Sequence, residues 1–451
     1  MGMSLEDFAM KPSYGRLTGV SIACHAVQDA YLLLHVGVGC KNKVTHLLAH
    51  DWEVPCNLRQ GWTEVCDEDL IMGSSRRIGP YLRSWQERMD SGWVCVVSVL
   101  FIELTGEDIR GEVRRSAEGW PVPVDFVDAL GVDGDEVDGY ASVVAAIARR
   151  VPWQQRPSRP RQVSLVGYWF DRYEGDHAGN LGQIAGMLKS IGASLGPVLL
   201  SGRRFDDHQA AADSGLVVVL PYVSPAEGLG TPWKTAGRES LATDLPMGIA
   251  GTSRWLRAVG GALGLPADRV EASIRMREER VRKPLAKMVG RWRGLRVAVL
   301  ADVPMAVGMV ELLTELGCRV VWVGLRGTSL GGRAGFDAAR ARAGLEPLDA
   351  EVVERPSLSR IRAEVGSLLA AGQLQGVIGS ATELGPLRSL PREDLGEAGP
   401  FLLELGFPCR DFHCLTQVPF MGYGGVVAFA QRLLTAPRLW DDGRPAPWSG
   451  T

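Results

Sequence analysis

The chain has 451 residues, of which 46% are hydrophobic and 22% are charged, and its formal net charge is −3. At roughly 100–200 residues per domain, this length predicts two to four domains, each able to bury its own core. The charge argues against a bulk basic field that would hold nucleic acid or an anionic membrane. The apolar runs are too short to span a bilayer, so we expect no integral membrane segment. Because no basic-then-apolar signal pattern opens the sequence, we expect a cytoplasmic protein.

Two polar stretches divide the chain into three blocks. Gln154–Arg161 carries two prolines and no apolar side chain, which is typical of an interdomain linker. Arg275–Arg293 is a basic helical stretch broken by Pro284, and it predicts a solvated helix leading into the last block. The predicted domains are therefore residues 1–153, 162–285 and 291–440, with a linker at 154–161.

The second and third blocks open with the same order of elements, a short apolar strand followed by a helix that a glycine ends. The predicted helices are Asn180–Ile191, closed by Gly192, and Met305–Leu316, closed by Gly317. The predicted strands are Tyr31–Val36, Trp93–Leu100, Gln162–Phe170, Leu295–Leu300 and Arg319–Val323. Continuous apolar strands that alternate with helices predict parallel sheets covered on both faces. We therefore predict an α/β fold with three doubly wound domains.

The cysteines and histidines are concentrated near the start of the chain. Eight cysteines are too few for a disulfide scaffold in a protein of this length. Four of the seven histidines lie in the first 50 residues, and five cysteines lie in the first 95, namely Cys24, Cys40, Cys56, Cys66 and Cys95. The N-terminal block is therefore where we expect the chemistry.

The segment His35–Cys40 is the sharpest local feature of this block. An apolar strand leads into a turn with Gly37 and Gly39 and delivers Cys40 just past its end, before a helix predicted to start near Lys43. Exposed backbone amides, a helix N-terminus and two lysines would favour the thiolate form of this cysteine. The alternative is an ordinary glycine-rich turn with a buried thiol. A phosphate-binding loop is disfavoured because neither GxGxxG nor GxxxxGK[ST] is present.

The other cysteines give weaker signals. Cys56 and Cys66 are not part of any CxxC or CxxH pattern, which argues against a zinc site, and we interpret Cys24 and Cys95 as packing residues. Near the C-terminus, two cysteines and a histidine lie close together and offer three metal ligands of the four required. These three are Cys409, His413 and Cys414, and an ordinary loop is the favoured interpretation.

Taken in order, several motifs of this chain resemble the component 1 superfamily of nitrogenases and nitrogenase-like reductases. The resemblance spans roughly residues 10–435. Its landmarks are Gly19, His35–Cys40, Thr63-Glu64, Glu103–Ile109, Asp244–Thr252, Glu315–Gly317, Gly379-Ser380, Leu405–Pro408 and Met421–Gly425. The family fold consists of three Rossmann-like domains, in agreement with the fold predicted from the residues.

The resemblance also implies a subunit type. Catalytic nitrogenase subunits each supply three cysteines to a cluster at the subunit interface. In this chain only one of the three positions carries a cysteine, Cys40. The other two positions fall near Gly15 and at about Leu100. One cysteine here and three from an α-type partner would be the arrangement for a shared [4Fe-4S] cluster. It resembles the β-type subunits of chlorophyllide reductase and of the nitrogenase cofactor-assembly scaffold. The run Cys40–Leu48 looks closest to the Z-type subunit of chlorophyllide reductase.

By this resemblance, the chain is expected to be a β-type subunit of an ATP-dependent two-component reductase, in an α2β2 heterotetramer. An iron protein that hydrolyses ATP would pass electrons through the interface cluster to a substrate held largely by the α-type partner. Cys40 would be the metal ligand, Gly37 and Gly39 would allow close backbone approach, and Lys41 would offset the cluster's negative charge. The resemblance identifies no catalytic residue and no substrate.

Two alternatives stay open. The first alternative is a non-catalytic scaffold that holds a cofactor precursor. The second is a homo-oligomeric α/β protein that binds an organic ligand without a cluster. His413 resembles in position the cofactor-binding histidine of catalytic α subunits, but its surroundings look β-like, so that role is not carried over. The sequence assigns no cluster role to the other candidates, which are Cys56, Cys66, Cys409, His413 and Cys414.

Overall fold

The computed structural model describes residues 14–49, 59–86, 90–129, 134–170, 175–223, 231–390, 400–409, 412, 414 and 416–441. Its strands form three sheets, and every strand pairing in them is parallel. Helices connect successive strands, as parallel pairing requires. These sheets confirm the predicted α/β class with Rossmann-like, parallel architecture.

The chain forms two compact units. The N-terminal unit contains the described residues of Tyr14–Tyr173 and Ser194–Ala242, and the C-terminal unit contains those of Glu174–Ala193 and Thr243–Thr451. Two of the sheets lie in the N-terminal unit and the third lies in the C-terminal unit. The domain boundaries drawn from the sequence stay a prediction. Across the described residues, no helix has both the length and the apolar character needed to cross a membrane.

The first sheet of the N-terminal unit has the strand order β2-β1-β3-β4. Its strands are β1 (Ala30–His35), β2 (Gln60–Trp62), β3 (Trp93–Ser98) and β4 (Val124–Val127). Its helices are α1 (Arg16–Ala26), α2 (Val38–Ala49), α3 (Asp67–Met72), α4 (Ile78–Gln86), α5 (Leu100–Glu103), α6 (Ile109–Ser116) and α7 (Glu136–Ala148). Every residue of β3 is buried, as expected for a central parallel strand with an unbroken apolar run.

Helices α1 and α7 pack so closely that only glycine fits at their contact. A Cβ on Gly19 would lie 1.7 Å from the carbonyl oxygen of Glu136, and a Cβ on Gly139 would lie 1.9 Å from that of Arg16. Because backbone atoms cannot move aside as a flexible side chain can, larger residues would push the helices apart. This contact explains why Gly19 is a landmark of the sequence.

The second sheet has the strand order β6-β5-β7-β8. Its strands are β5 (Arg159–Val166), β6 (Ser194–Val198), β7 (Ser214–Val219) and β8 (Ser240–Ala242), with the short helix α9 (Pro232–Thr235) before β8. Strand β5 begins at Arg159, inside the segment predicted to be a linker. The Trp93 ring of β3 stacks on the Phe205 ring, which lies in the connection between β6 and β7, with centroids 5.7 Å apart.

The C-terminal unit is built on a five-stranded sheet with the order β11-β10-β9-β12-β13. Its strands are β9 (Arg296–Asp302), β10 (Arg319–Arg326), β11 (Glu351–Glu354), β12 (Gly376–Gly379) and β13 (Phe401–Glu404). Its helices are α8 (Gly175–Ile191), α10 (Ile249–Ala262), α11 (Ala267–Ala286), α12 (Val303–Glu315), α13 (Gly332–Arg342), α14 (Leu358–Ala370), α15 (Ala381–Arg388) and α16 (Gly422–Asp441). The sequence placed α12 correctly because Asp302 caps its first turn and Gly317 ends it with φ 86°.

Helix α11 differs from its prediction. Pro284 does not break the basic stretch but lies in the last turn of α11, two residues before its end. A proline removes one backbone hydrogen bond, and in the last turn no further turn of helix depends on that bond.

Candidate functional site

Cys40 lies at the carboxyl edge of the first sheet, in the first turn of α2. Strand β1 ends at His35, and α2 begins at Val38 after a short connection. The amide of Lys41 donates to the carbonyl of Gly37 at 3.3 Å, which closes the first turn of the helix. The predicted start near Lys43 was therefore wrong, because the helix already begins at Val38 and includes Gly39. Cys40 is a helical residue, not a turn residue.

The thiol of Cys40 is half-buried, and its ionisation reflects that position. Burial raises the pKa of the Cys40 thiol, and the nearby Lys43 lowers it by less. The expectation that the helix terminus and the lysines favour a thiolate is therefore wrong for the chain by itself, since desolvation outweighs them. The Lys41 ammonium lies 4.0 Å from the centroid of the Trp62 ring, in a cation–π contact.

The two glycines beside Cys40 have different surroundings. A Cβ on Gly37 would lie 3.4 Å from the carbonyl oxygen of Val65 and 3.7 Å from Cζ of Phe101. A Cβ on Gly39, which precedes Cys40 in the chain and is exposed, would have no atom within 4 Å. A half-buried cysteine sulfur is the type of ligand that iron-sulfur clusters take, and the cluster itself would stabilise the thiolate. Cys40 therefore fits an iron-sulfur group as one of its ligands.

Large apolar side chains are exposed along the same edge of the sheet. Val38 is 65% exposed in the first turn of α2, and Leu104, just after α5, is 76% exposed. Ile71 in α3 reaches 84%, and Met72 and Phe101 are also exposed. The segments that carry these side chains follow β1, β2 and β3, so they lie at the carboxyl ends of neighbouring parallel strands. We define these five residues as the apolar rim.

A buried hydrogen-bond network lies at the same strand ends. Nδ1 of His35 is 2.8 Å from Oγ1 of Thr63, and Nε2 is 3.1 Å from Oγ of Ser74. The amide and the hydroxyl of Ser74 both donate to Oε1 of Glu107, at 2.8 and 2.9 Å, and the amide of Ser75 donates to Oε2 at 2.8 Å. Sequence reasoning missed this network, although His35, Thr63 and Glu107 all fall within landmark segments.

Both ionisable groups of the network titrate far from neutral pH. Burial lowers the pKa of His35 to about 4, since the charged imidazolium would lose its hydration. Burial opposes ionisation of Glu107, but hydrogen bonds from Ser75 and Ser74 outweigh it and lower the pKa of this carboxyl to about 2. The imidazole is therefore neutral and the carboxylate ionised over the ordinary pH range.

Cys66 lies on the same edge with partners of its own. It precedes α3, and its amide and its thiol both donate to Oδ2 of Asp69, at 2.9 and 3.1 Å. Nε of Arg77 lies 2.6 Å from the same oxygen, and Nη2 of Arg77 lies 3.8 Å from the Cys66 sulfur. Burial raises the pKa of Asp69, but hydrogen bonds from Arg77 and Cys66 outweigh it, and the net pKa falls well below the ordinary range.

The remaining candidates are not brought into this edge. Cys24 and Cys95 are 2% and 0% exposed, which confirms them as packing residues. Cys409 and Cys414 are buried in the C-terminal unit, where the Cys409 thiol donates to the carbonyl of Phe412 at 2.8 Å. Cys56 and His413 lie outside the described residues. Within the part of the chain that the structure describes, no three histidine, cysteine or acidic residues form a group that could hold a metal ion.

The two other cysteine positions expected from the resemblance lie at helix starts. Gly15 precedes α1, and a Cβ at this position would meet no atom within 4 Å. Leu100 is the first residue of α5, two residues after the last residue of β3. Their correspondence to the cysteine positions of the family stays a prediction.

Comparison with known proteins identifies the relatives of the chain. The family model for nitrogenase component 1 type oxidoreductases matches residues 16–437. The chain is 24% identical over 333 residues to nitrogenase iron-molybdenum cofactor biosynthesis protein NifE of Rhizobium meliloti (strain 1021). That match covers 68% of this chain and 65% of the relative, so the chain spans just under two thirds of the relative's length.

Proteins named as enzymes match at a similar level. Light-independent protochlorophyllide reductase subunit N of Heliobacterium modesticaldum is 24% identical over 66% of this chain and 70% of its own length. The nitrogenase molybdenum-iron protein beta chain of Acidithiobacillus ferridurans is 22% identical over 74% of this chain and 66% of its own. The solved structure "Nitrogenase Cp1 at pH 6.5" has a TM-score of 0.77 at 16% identity, over 98% of this chain and 96% of that one, and shows the shared fold.

Proposed function

The chain belongs to the nitrogenase component 1 family of oxidoreductases, and we propose that it is a β-type subunit of the catalytic component of a nitrogenase-like reductase. In this proposal Cys40 is one ligand of a [4Fe-4S] cluster shared with an α-type partner. An ATP-dependent iron protein supplies the electrons, and the α-type partner holds most of the substrate. The observation that carries the proposal is the half-buried Cys40 thiol at the carboxyl edge of a parallel sheet, next to Gly39, whose Cβ position has no atom within 4 Å.

A cluster bound here would accept and release single electrons, and this chain's residues would hold it and exclude water. Cys40 would supply one thiolate, and the bare backbone at Gly39 would leave room for a group bulkier than a side chain. Lys41, next to the ligand, would place a positive charge on the same helical turn. Backbone approach and nearby charge are among the means by which proteins adjust the potential of such a cluster.

The apolar rim supports a partner subunit. One thiolate cannot complete the four-cysteine ligand set that a [4Fe-4S] cluster takes, so three ligands would come from another chain. Val38, Phe101 and Leu104 follow the strands that flank the site, and their exposed side chains favour burial against such a chain. Burial of the rim would also keep water from the site. We propose an α2β2 heterotetramer on this basis.

The names of the relatives favour a second candidate function. Proteins named for iron-molybdenum cofactor biosynthesis match this chain as well as the named reductase subunits do. A scaffold subunit would use the same Cys40 site to hold a cluster but would not turn over a substrate. Reductase and scaffold therefore differ in activity, not in the ligand that this chain contributes.

The test is anaerobic co-purification with the component 1-like product of an adjacent gene, followed by iron counting and low-temperature EPR. We expect about four irons per αβ pair and a signal of the reduced cluster. Cys40→Ala should lose or alter both, whereas Cys66→Ala, a matched cysteine on the same edge, should keep them. Absence of iron, or iron indifferent to Cys40→Ala, would contradict the proposal and leave a cluster-free α/β ligand-binding protein.

A second measurement separates the reductase from the scaffold. The purified complex is mixed with its iron protein, ATP and a reductant, and ATP hydrolysis and electron consumption are followed in the presence of candidate substrates. Sustained electron transfer to a released product favours the reductase. Transfer of bound metal to an acceptor protein, without catalytic turnover, favours the scaffold.

A further inference from the structure

The hydrogen bonds that link Thr63, His35, Ser74 and Glu107 all run in one donor-to-acceptor direction. The Glu107 carboxylate can only accept hydrogen bonds, so the Ser74 hydroxyl must donate its hydrogen to it. Ser74 Oγ therefore accepts from Nε2–H of His35. A neutral imidazole has one N–H, so Nδ1 of His35 accepts from the Thr63 hydroxyl. The chain of donors runs from Thr63 through His35 and Ser74 to Glu107, and it fixes the tautomer of His35.

This network ties together the ends of three neighbouring strands. His35 is the last residue of β1, Thr63 directly follows β2, and Glu107 lies in the connection that follows β3 and α5. Backbone hydrogen bonds also connect β1 and its extension to the segment after β2. The amide of Thr63 donates to the carbonyl of Leu34 at 3.0 Å, and that of Val65 donates to the carbonyl of Val36 at 3.2 Å. The segment Thr63–Val65 is therefore held against the connection that leads to Cys40.

A strained residue lies within the held segment. Glu64 has φ 55°, in the left-handed region that residues with a side chain rarely adopt. Such a conformation persists where the surroundings over-determine it, and here both neighbours of Glu64 are bonded to β1 or its extension. The carbonyl of Val65 then lies 3.4 Å from the Cβ position of Gly37, three residues before Cys40. The held segment thus supports the backbone from which α2 starts.

We infer that His35 is a positioning residue for Cys40. Through Thr63 it holds the segment Thr63–Val65 beside Val36 and Gly37, and through Ser74 it is anchored to Glu107; it thereby sets how deeply the Cys40 thiol lies at the edge of the sheet. The effect of His35 on a bound cluster rests on the proposed function. Its effect on the thiol of the chain by itself does not.

A proton relay along the same atoms is the competing interpretation, and the ionisation of Glu107 argues against it. Hydrogen bonds keep the pKa of this carboxyl at about 2, so it does not take up a proton at neutral pH. His35, with a pKa lowered by burial to about 4, also stays neutral there. A network that does not titrate near neutral pH holds its geometry constant, as a positioning role requires.

The first test uses the chain without any cluster. His35→Phe removes both hydrogen bonds and keeps a ring, whereas His35→Gln keeps one donor and one acceptor. The alkylation rate of Cys40 by iodoacetamide is measured by peptide mass spectrometry, with Cys66 followed in the same sample. We expect Cys40 to react several-fold faster in His35→Phe and at nearly the wild-type rate in His35→Gln.

His208 provides the matched control. It is 1% exposed, lies in the same unit, and makes two similar bonds, accepting from the amide of Leu200 at 2.9 Å and bonding to the carbonyl of Phe205 at 2.9 Å. His208→Phe should therefore destabilise the unit without changing the Cys40 rate. If His35→Phe does not fold, Thr63→Val removes the hydroxyl at nearly constant shape and is expected to accelerate the same reaction. Equal Cys40 rates in wild type, Thr63→Val and any folded His35 variant would overturn the inference.

The second test uses the loaded complex. If Cys40 is a ligand, we expect His35→Phe to shift the midpoint potential and the EPR g-values of the cluster, with recovery towards wild type in His35→Gln and no shift in His208→Phe. A cluster unaffected by His35→Phe, in a complex whose iron depends on Cys40, would overturn the positioning role. Absence of iron in the wild-type complex would contradict the proposed function instead, and the alkylation rates would still decide the inference.

Discussion

The carbonyl oxygen of Val65 lies 3.4 Å from the point where a Cβ would stand on Gly37, whereas the same point on Gly39 has no atom within 4 Å. A methyl group on Gly37 would thus contact the neighbouring segment, whereas one on Gly39, two residues further on, would meet no atom. The two glycines therefore have different roles, and substitution by alanine should separate them.

We predict that Gly39→Ala stabilises the chain without a cluster and lowers cluster loading. Alanine favours a helix over glycine by about 0.5–1 kcal/mol, and no atom opposes its methyl group here. The free energy of unfolding from urea denaturation measures the gain, and iron per αβ pair measures the loss. Unchanged iron content would show that the space beside Cys40 is not used by the cluster.

We predict that the Glu64→Gly protein has a higher free energy of unfolding than the Glu64→Ala protein. Both substitutions remove the same carboxylate, but only glycine adopts φ 55° without strain, and the left-handed conformation costs other residues roughly 1–2 kcal/mol. The difference in unfolding free energy between Glu64→Gly and Glu64→Ala isolates this cost. Equal stabilities would mean that Glu64 is not strained by its surroundings.

The buried histidines predict loss of stability in mild acid. His35 has a pKa of about 4 in the folded chain, against about 6.5 when unfolded. Only the unfolded chain binds this proton between those values, so the contribution of His35 is complete above about pH 6.5 and is lost as the pH falls towards 4. At about 1.4 kcal/mol per pKa unit, the loss is on the order of 3 kcal/mol. Burial also lowers the pKa of His208, which acts in the same direction.

The measurement is the unfolding free energy of wild type and His35→Gln at several pH values between about 7.5 and 4.5. We expect the variant to lose less stability on acidification than wild type does. Glu107 contributes in a separate range, because its pKa of about 2 makes its share disappear below about pH 4. Parallel pH curves for the two proteins would contradict the low pKa of His35.

Gly19 and Gly15 form a matched pair at the start of the first unit. A Cβ on Gly19 would lie 1.7 Å from the Glu136 carbonyl oxygen, so Gly19→Ala forces α1 and α7 apart. Overpacking of this kind typically costs about 1–3 kcal/mol, and a backbone clash lies at the upper end. Gly15→Ala meets no atom within 4 Å and should leave the thermal midpoint nearly unchanged. A Gly19→Ala protein as stable as Gly15→Ala would show that the two helices are not in contact.

The sequence by itself determined the α/β class, the positions of several strands and of α12, and the family resemblance. Apolar runs in β1, β3 and β9 and the cap at Asp302 are local signals, because each depends on residues a few positions apart. The sequence showed the landmarks as separate motifs, but it did not show which landmarks are in contact with each other. The amides of Ile249 and Ala250 donate to the Glu315 carboxylate at 2.6 and 2.7 Å, so two landmarks turn out to be one contact.

The tertiary structure alone decided the state of the candidate site. Burial raises the pKa of the Cys40 thiol, and burial is a property of the folded chain. The hydrogen bonds of His35 join residues 28 and 39 positions away, and Ser74 reaches Glu107 across 33 positions. The sequence pattern records which residues are polar and where each strand ends. It does not record which polar groups form hydrogen bonds with each other, because packing between distant segments decides that. The pKa of each group depends on those hydrogen bonds and on burial.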